Sequence, residues 1–444
     1  MNLRHNTLAT ACFLAAATLI TAGFAASAYA FDDDGWSQHS VRNELKPQFS
    51  YEKAGGPAGQ PVLRITSDGR PGLDGAWVKR FPVTGGRVYR FSALRKTENV
   101  PVPRRSAIVK ITWQDDRGNM VPGDGDKARP EYPRETGNPS DGWQPISEMY
   151  PVPDKATQAR VELRFRWSQN GAVRYSAVSL EPTAKQLGRT VRLATVHYRP
   201  SGGKTPAENR EQFAEYIAEA AAKGADLVCL PESLTLYGTG LKYAEAAEPI
   251  PGPSTDYFGS LAKKHNLYIV AGLLERSEDL VYNTAALLGP GGELVGKYRK
   301  VCLPREEIEG GVAPGSAYPV FETRFGRLGM MICWDVHFPE VARNLSNNGA
   351  EVIAMPIWGG NPTLARARAI ENQVFLVTST YTDPEKDWMK SGVFDKEGRL
   401  LVTGHDWGKV LVVEVDLDKK KQWPWLGNFK ARIHRERPAN GFQN

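Results

Sequence analysis

The chain has 444 residues, 41% of them hydrophobic and 24% charged with both signs well mixed. That is the composition of a globular protein, and it is too long for one ordinary core, so two domains are expected. The formal net charge of +6 is small for this length and gathers into no long basic block, which excludes nucleic acid as an expected partner.

In chain order the first element is a leader. Arg4 and His5 precede the apolar run ATACFLAAATLITAGFAA, the small-x-small pattern Ala28-Tyr29-Ala30 follows, and the next residues are FDDD. These features predict a secretory signal peptide over residues 1–30, cleaved near Ala30, with the mature chain exported to the periplasm or beyond. The apolar run is barely long enough for the alternative, a membrane anchor. Removing the leader also removes Cys12 and leaves Cys229, Cys302 and Cys333. An odd, sparse set makes a poor disulfide framework, so at least one thiol is expected to be free.

Residues 31–184 are written as short alternating segments separated by Gly-rich and Pro-rich breaks. AWVKRFPV, RVYRFSALRK, SAIVKITWQDD, ARVELRFRWS and VRYSAVSLEP each follow a period of two, and no amphipathic helical window of useful length interrupts them. The prediction is an all-β sandwich. The stretch GAWVKRFPVTGGRVYRFSALRKT resembles the jelly-roll, carbohydrate-binding-module type of domain. That resemblance implies a glycan partner held by exposed aromatics, with Trp77, Trp113, Trp143 and Trp167 as candidates. Trp113 and Trp167 lie inside alternating runs, which predicts burial for both.

A short polar bridge containing the linker 185–190 leads into residues 191–444, where the pattern changes. VRLATVHY reads as a strand, AENREQFAEYIAEAAAKG as a helix ending at Gly224, and ADLVCLPE as a strand. STDYFGSLAKKHN reads as a helix, LYIVAGLLE as a strand, and VYNTAALLGPGGELVGKYRKV as a hairpin around GPGG. This half is predicted to be α/β with a mixed sheet.

Three strand ends in this half carry chemistry: DLVCLPES with Glu232, GKYRKVCLP with Lys300, and MMICWDVHFPE with Cys333. Each has a dull reading as a capping carboxylate, a solvated cation and a small core residue. Together they supply a base, a cation and a thiol, the set that thiol acyl transfer requires. At neutral pH an ordinary thiol is mostly protonated, so a base must take its proton and a nearby cation can hold the oxyanion. A Cys–His dyad with His337 is the competing scheme. A metal site is poorly supported, because no two histidines have ligand spacing.

The stretches LVCLPES, VYNTAALLGPGGELVGKYRKVCLP, FGRLGMMICWDVHFPEVAR, GAEVIAMP and RARAIENQVFLV identify a resemblance to the nitrilase, or carbon–nitrogen hydrolase, superfamily over about Val191 to Pro438. The resemblance implies an α-β-β-α sandwich with Glu232 as general base, Lys300 as oxyanion-stabilising lysine and Cys333 as nucleophile. The Trp334 N–H would be the second oxyanion donor, and Lys297 a structural residue. A second glutamate belongs to REEIEGGVAPG, where counting back from Pro314-Gly315 selects Glu309 and counting forward from Lys300 selects Glu307; Glu309 is the choice.

No metal or organic cofactor is implied, the substrate would be a small amide or carbamoyl compound, and a homo-oligomer would form through the hydrolase domain. His337 stands where relatives acting on carboxylate-bearing substrates often have arginine, Cys302 where many have histidine, and Trp358 is placed to wall the pocket. Arg366 and Glu371 are expected to tie their helix to the sheet, with Glu371 and Asn372 near a subunit interface. The alternatives are a true nitrile hydrolase, or an exported glycan-binding protein with an inactive hydrolase-like domain.

Overall fold

A computed structural model describes residues 35–122, 129–184, 188–423 and 427–438. Residues 1–30, expected to be a leader, and part of the expected linker lie outside these. Among the described residues no helix is long and apolar enough to cross a membrane.

The first half is two antiparallel sheets. One runs in the order Ser37–Ser40, Asp74–Pro82, Gln158–Arg166, Ala107–Gln114. The other runs Gln48–Glu52, Val62–Thr66, Ala172–Pro182, Val88–Glu98, Gln144–Pro151. Alternation along each strand decides which face is apolar: Val109, Ile111 and Trp113 on one strand meet Val161, Leu163 and Phe165 on the next, and Tyr89, Phe91 and Ala93 come from the opposite sheet, all in one buried cluster. Trp77, Trp113 and Trp143 are buried, whereas Trp167 is 48% exposed. The expected burial of Trp167 is corrected here for a local reason. Its strand stops at Arg166 and the backbone turns to φ +55°, so parity no longer sends the side chain inward. The indole lies under the Arg166 guanidinium, 3.9 Å from its ring centroid.

The second half is two six-stranded mixed sheets. The first has the order Leu294–Arg299, Leu280–Leu288, Tyr268–Ser277, Leu227–Cys229, Thr190–His197, Lys409–Asp416. The second has Val320–Glu322, Arg327–Met330, Val352–Pro356, Phe375–Ser379, Gly392–Phe394, Leu400–Thr403. Strands apolar on both faces explain the stacking. Leu193, Leu227, Cys229 and Val270 face the second sheet, while their neighbours Ala194, Val228 and Ile269 pack under Phe213, Ile217 and Phe258 of the outer helices. Helices Pro339–Asn347 and Pro362–Asn372 cover the far side of the second sheet with Val341, Leu345 and Ala369. The result is an α-β-β-α sandwich.

Two local expectations change. The helix read as one over 207–224 is two, Pro206–Glu211 and Ala214–Ala222, the second closed by Gly224 at φ +74°. The arginine that ties helix Pro362–Asn372 down is Arg368 rather than the exposed Arg366. Arg368 Nε donates to Val336 O at 3.0 Å and its Nη1 to Glu371 Oε1 at 3.0 Å. Glu371 and Asn372 are themselves covered within the chain by Arg437, which donates to Glu371 O and Asn372 Oδ1.

Candidate active site

Three parallel strands end at one place between the two sheets, where open α/β folds generally collect ligands. Leu227–Cys229 delivers Glu232, Arg327–Met330 delivers Cys333, and Val352–Pro356 delivers Trp358 and Gly359. The hairpin strand Leu294–Arg299 adds Lys300, whose backbone N–H donates to Asn283 O at 2.8 Å.

Lys300 is 1% exposed and its Nζ donates to Glu232 Oε1 at 2.8 Å and Glu307 Oε1 at 2.6 Å. Asn283 Nδ2 donates to the same two oxygens at 2.7 and 3.0 Å, and the Trp358 N–H fixes Glu232 Oε2 at 2.8 Å. The Tyr381 hydroxyl holds the Glu232 carbonyl at 2.6 Å. Gly272 lets these segments meet: a Cβ there would lie 2.5 Å from the Glu232 Cα.

The second carboxylate is Glu307, and the choice of Glu309 is corrected. Both sit on the short helix Arg305–Glu309, but two residues along a helix turn about 200°, so Glu307 is buried against Lys300 while Glu309 is exposed. We expect Glu307→Gln to lower kcat/KM by about 10²-fold or more, with Glu309→Gln within about twofold of wild type. Steady-state kinetics on the two variants decide it, and equal losses would overturn the assignment.

Cys333 sits at φ +43° where the strand breaks into the tight turn Cys333–His337. Asp335 builds this elbow: it accepts from the N–H groups of Ile332 and Cys302, both at 2.9 Å, and from the Tyr298 hydroxyl at 2.8 Å. The Trp334 N–H lies in the first turn, whose amides have no acceptor within the turn. Cys333 is half-buried, and its Sγ lies 3.5 Å from Gly359 O.

Electrostatics set the resting protonation. Burial alone would lower the Lys300 ammonium, but Glu232, Cys333 and Glu307 outweigh it and raise its pKa. Burial pushes Glu307 up to about 7, assisted by the Glu232 charge and opposed by Lys300. Burial, followed by the Glu232 charge, pushes the Cys333 thiol up to about 12 against the pull of Lys300. The thiol is therefore neutral at rest, and its proton must leave by way of a base.

Of the remaining sequence candidates, Trp334 and Trp358 are exposed, as are Phe338 and Trp388, which the sequence did not single out. Trp334 stacks on His337 at 4.2 Å, and Trp358 packs on Tyr237 at 5.0 Å and on Tyr381 at 5.4 Å. Burial and the Arg368 charge lower the His337 pKa, so this imidazole is largely neutral at pH 7. Lys297 is engaged elsewhere, donating to Glu275 Oε1 at 2.6 Å, and Cys302 stands half-buried beside Asp335. Asn283, Asp335 and Tyr381 were not singled out from the sequence. Only the turn residue in Cys-Trp-Asp, three after Ile332, carried a usable signal, as a side-chain cap.

These features are those of a thiol hydrolase acting on C–N bonds. The sequence profile of the family named carbon–nitrogen hydrolase matches residues 192–424, and the chain belongs to that family. The omega-amidase NIT2 of Xenopus tropicalis is 33% identical over 248 residues, 51% of this chain and 89% of that protein. The mouse omega-amidase NIT2 is 30% identical over 270 residues, 55% and 97% respectively. Among solved structures, an amidase from Nesterenkonia sp. is similar with a TM-score of 0.45 and 24% identity, over 53% of this chain and 94% of that one. The protein is an enzyme of this family, with an active-site cysteine, and the family match begins after the two antiparallel sheets.

Proposed function

We propose that this enzyme hydrolyses small, uncharged amides, carbamoyl compounds included, through a thioester on Cys333. The convergence of Glu232 and Glu307 on one buried ammonium beside a neutral thiol carries this reading. Glu232 accepts the Cys333 proton as sulfur attacks the amide carbon. Lys300 Nζ and the Trp334 N–H hold the resulting oxyanion, and Glu307 keeps Lys300 in place. Glu232 then passes the proton to the departing nitrogen, which leaves as ammonia or an amine with the acyl group on sulfur. Water, deprotonated by the same carboxylate, attacks the thioester; the acid leaves and sulfur regains a proton.

The aromatic rim and a largely neutral His337 favour substrates without a carboxylate, since an imidazole of lowered pKa is a weak anion partner. The omega-amidase names of the relatives support amides rather than nitriles as substrates. The test measures ammonia release from matched amides with and without a terminal carboxylate, and from the corresponding nitriles. The uncharged amide should have a kcat/KM about 10-fold higher or more than its carboxylate partner; preference for the carboxylate, or turnover of nitriles alone, would overturn the reading. We further propose that residues 1–30 are a cleaved leader and that 31–184 form a domain separate from 191–444. The ammonia-releasing activity should then be found in the exported fraction of cells, and its retention inside would contradict export. A glycan role for the first half is left to the exposed Trp167, since Trp77, Trp113 and Trp143 are buried.

A further inference from the structure

A cavity of about 1240 Å³ lies between the antiparallel sheets of the first half and the hydrolase half. It is far from the thiol along the strands: Arg327 and Glu351 stand in its wall, where strands Arg327–Met330 and Val352–Pro356 begin, and Cys333 and Trp358 follow their other ends. The helix Phe429–Glu436 forms part of the same wall.

Most carboxylates in this wall are already engaged. Glu351 and Asp418 bind Arg134 and Arg189, Glu131 and Glu148 face Lys420, and Glu135 takes Arg95 at 2.6 Å. Five buried or half-buried cations line the cavity with no carboxylate within ion-pair distance among the described residues: Arg104, Arg129, Lys396, Lys430 and Arg435, while the wall's Lys155 and Lys419 are exposed. Three of them settle for backbone carbonyls. Arg104 Nη1 donates to His434 O at 2.7 Å, Lys396 Nζ to Leu417 O at 2.7 Å, and Arg435 Nη2 to Pro133 O at 2.9 Å. Lys430 and Arg129 have no hydrogen-bond acceptor among the described residues, and the Nε atoms of Arg129 and Arg435 are buried without partners.

Unpaired cations crowded into one recess repel one another and lose hydration, a cost that a proper counter-charge removes. Burial accordingly lowers the pKa values of Arg104, Lys396, Lys430 and Arg435. A monovalent ion would neutralise one charge, whereas a multivalent anion can meet several at once. Guanidinium groups suit the planar or tetrahedral oxygens of carboxylate and phosphate.

We propose that this cavity is a binding site for one compact multivalent anion bearing phosphate or carboxylate groups, which bridges the two halves of the molecule away from the catalytic thiol. Isothermal titration of the full chain at low salt, with tripolyphosphate and separately with citrate, tests it. Binding of one equivalent is expected from at least one probe, weakening as salt is added, and the stronger of the two assigns phosphate or carboxylate. Binding should raise the Tm as ligand exceeds Kd. The double variant Arg129→Gln with Lys430→Gln should lose about 10-fold or more in affinity, because charge-assisted contacts are removed, with amide hydrolysis unchanged. Should that variant fail to fold, Arg129→Gln alone should still weaken binding by about threefold or more. No heat from either probe at millimolar concentration overturns the proposal, as does unchanged affinity in the folded variant.

Discussion

Cys333→Ala should lower kcat/KM for amide hydrolysis by about 10⁴-fold or more, since residual rate would come only from binding and oxyanion stabilisation. The fold should survive. The thiol's contact with Gly359 O is long, 3.5 Å, and alanine pays the same steric penalty as cysteine at φ +43°. The elbow itself is held by Asp335 through the Ile332 and Cys302 amides, none of which the substitution touches. A Tm within about 2 °C of wild type is the expected companion result. The wild-type thiol gives a second signature. With its pKa pushed up to about 12, alkylation by iodoacetamide should be slow at pH 7 and accelerate through pH 9 without a plateau. A plateau near neutrality would mean a standing thiolate–Lys300 ion pair and would overturn the role of Glu232 as the proton's first acceptor. Substantial hydrolysis by Cys333→Ala would remove the nucleophile assignment itself.

Lys300→Met should be the most damaging change to stability and should also lower activity. It leaves Glu232 and Glu307 buried together, with Asn283 as their remaining shared donor. Removing one partner of a buried charge cluster typically costs about 3–5 kcal/mol, and loss of an oxyanion donor costs kcat about 10²–10³-fold. The pH dependence has a definite sign. Glu307 already has a folded-state pKa raised to about 7, above that of an unfolded glutamate. A raised carboxyl pKa contributes stability below the unfolded value and loses it as pH rises through the folded one. Without the ammonium this pKa rises further, so the variant should lose more Tm between pH 5.5 and 8 than wild type does. Thermal melts at the two pH values check this, and a variant as stable as wild type at pH 8 would refute the electrostatic account.

Much of the fold was legible because period-two alternation and helix punctuation are local signals. Both halves, the hairpin around GPGG and the strands ending at Glu232, Lys300 and Cys333 could be read this way. The single long helix before Gly224 was misread at its middle, since a break at Gln212 and Phe213 leaves no strong breaker residue in the sequence. Trp167 shows the limit of alternation, which holds only while the strand continues.

By itself the sequence determined which residue types stand at strand ends, and hence a thiol, a carboxylate and a lysine able to meet. Tertiary structure alone decided which groups do meet. Glu307 rather than Glu309 reaches Lys300 because the phase of one short helix is set by packing, not by counting from either motif. Asn283 and Asp335 became visible as positioning residues only when strands far apart in sequence converged. The unpaired cations of the cavity were invisible for the same reason: whether a charge is solvated or crowded depends on what folds against it, and the chain order of Arg104, Arg129, Lys396, Lys430 and Arg435 says nothing of that.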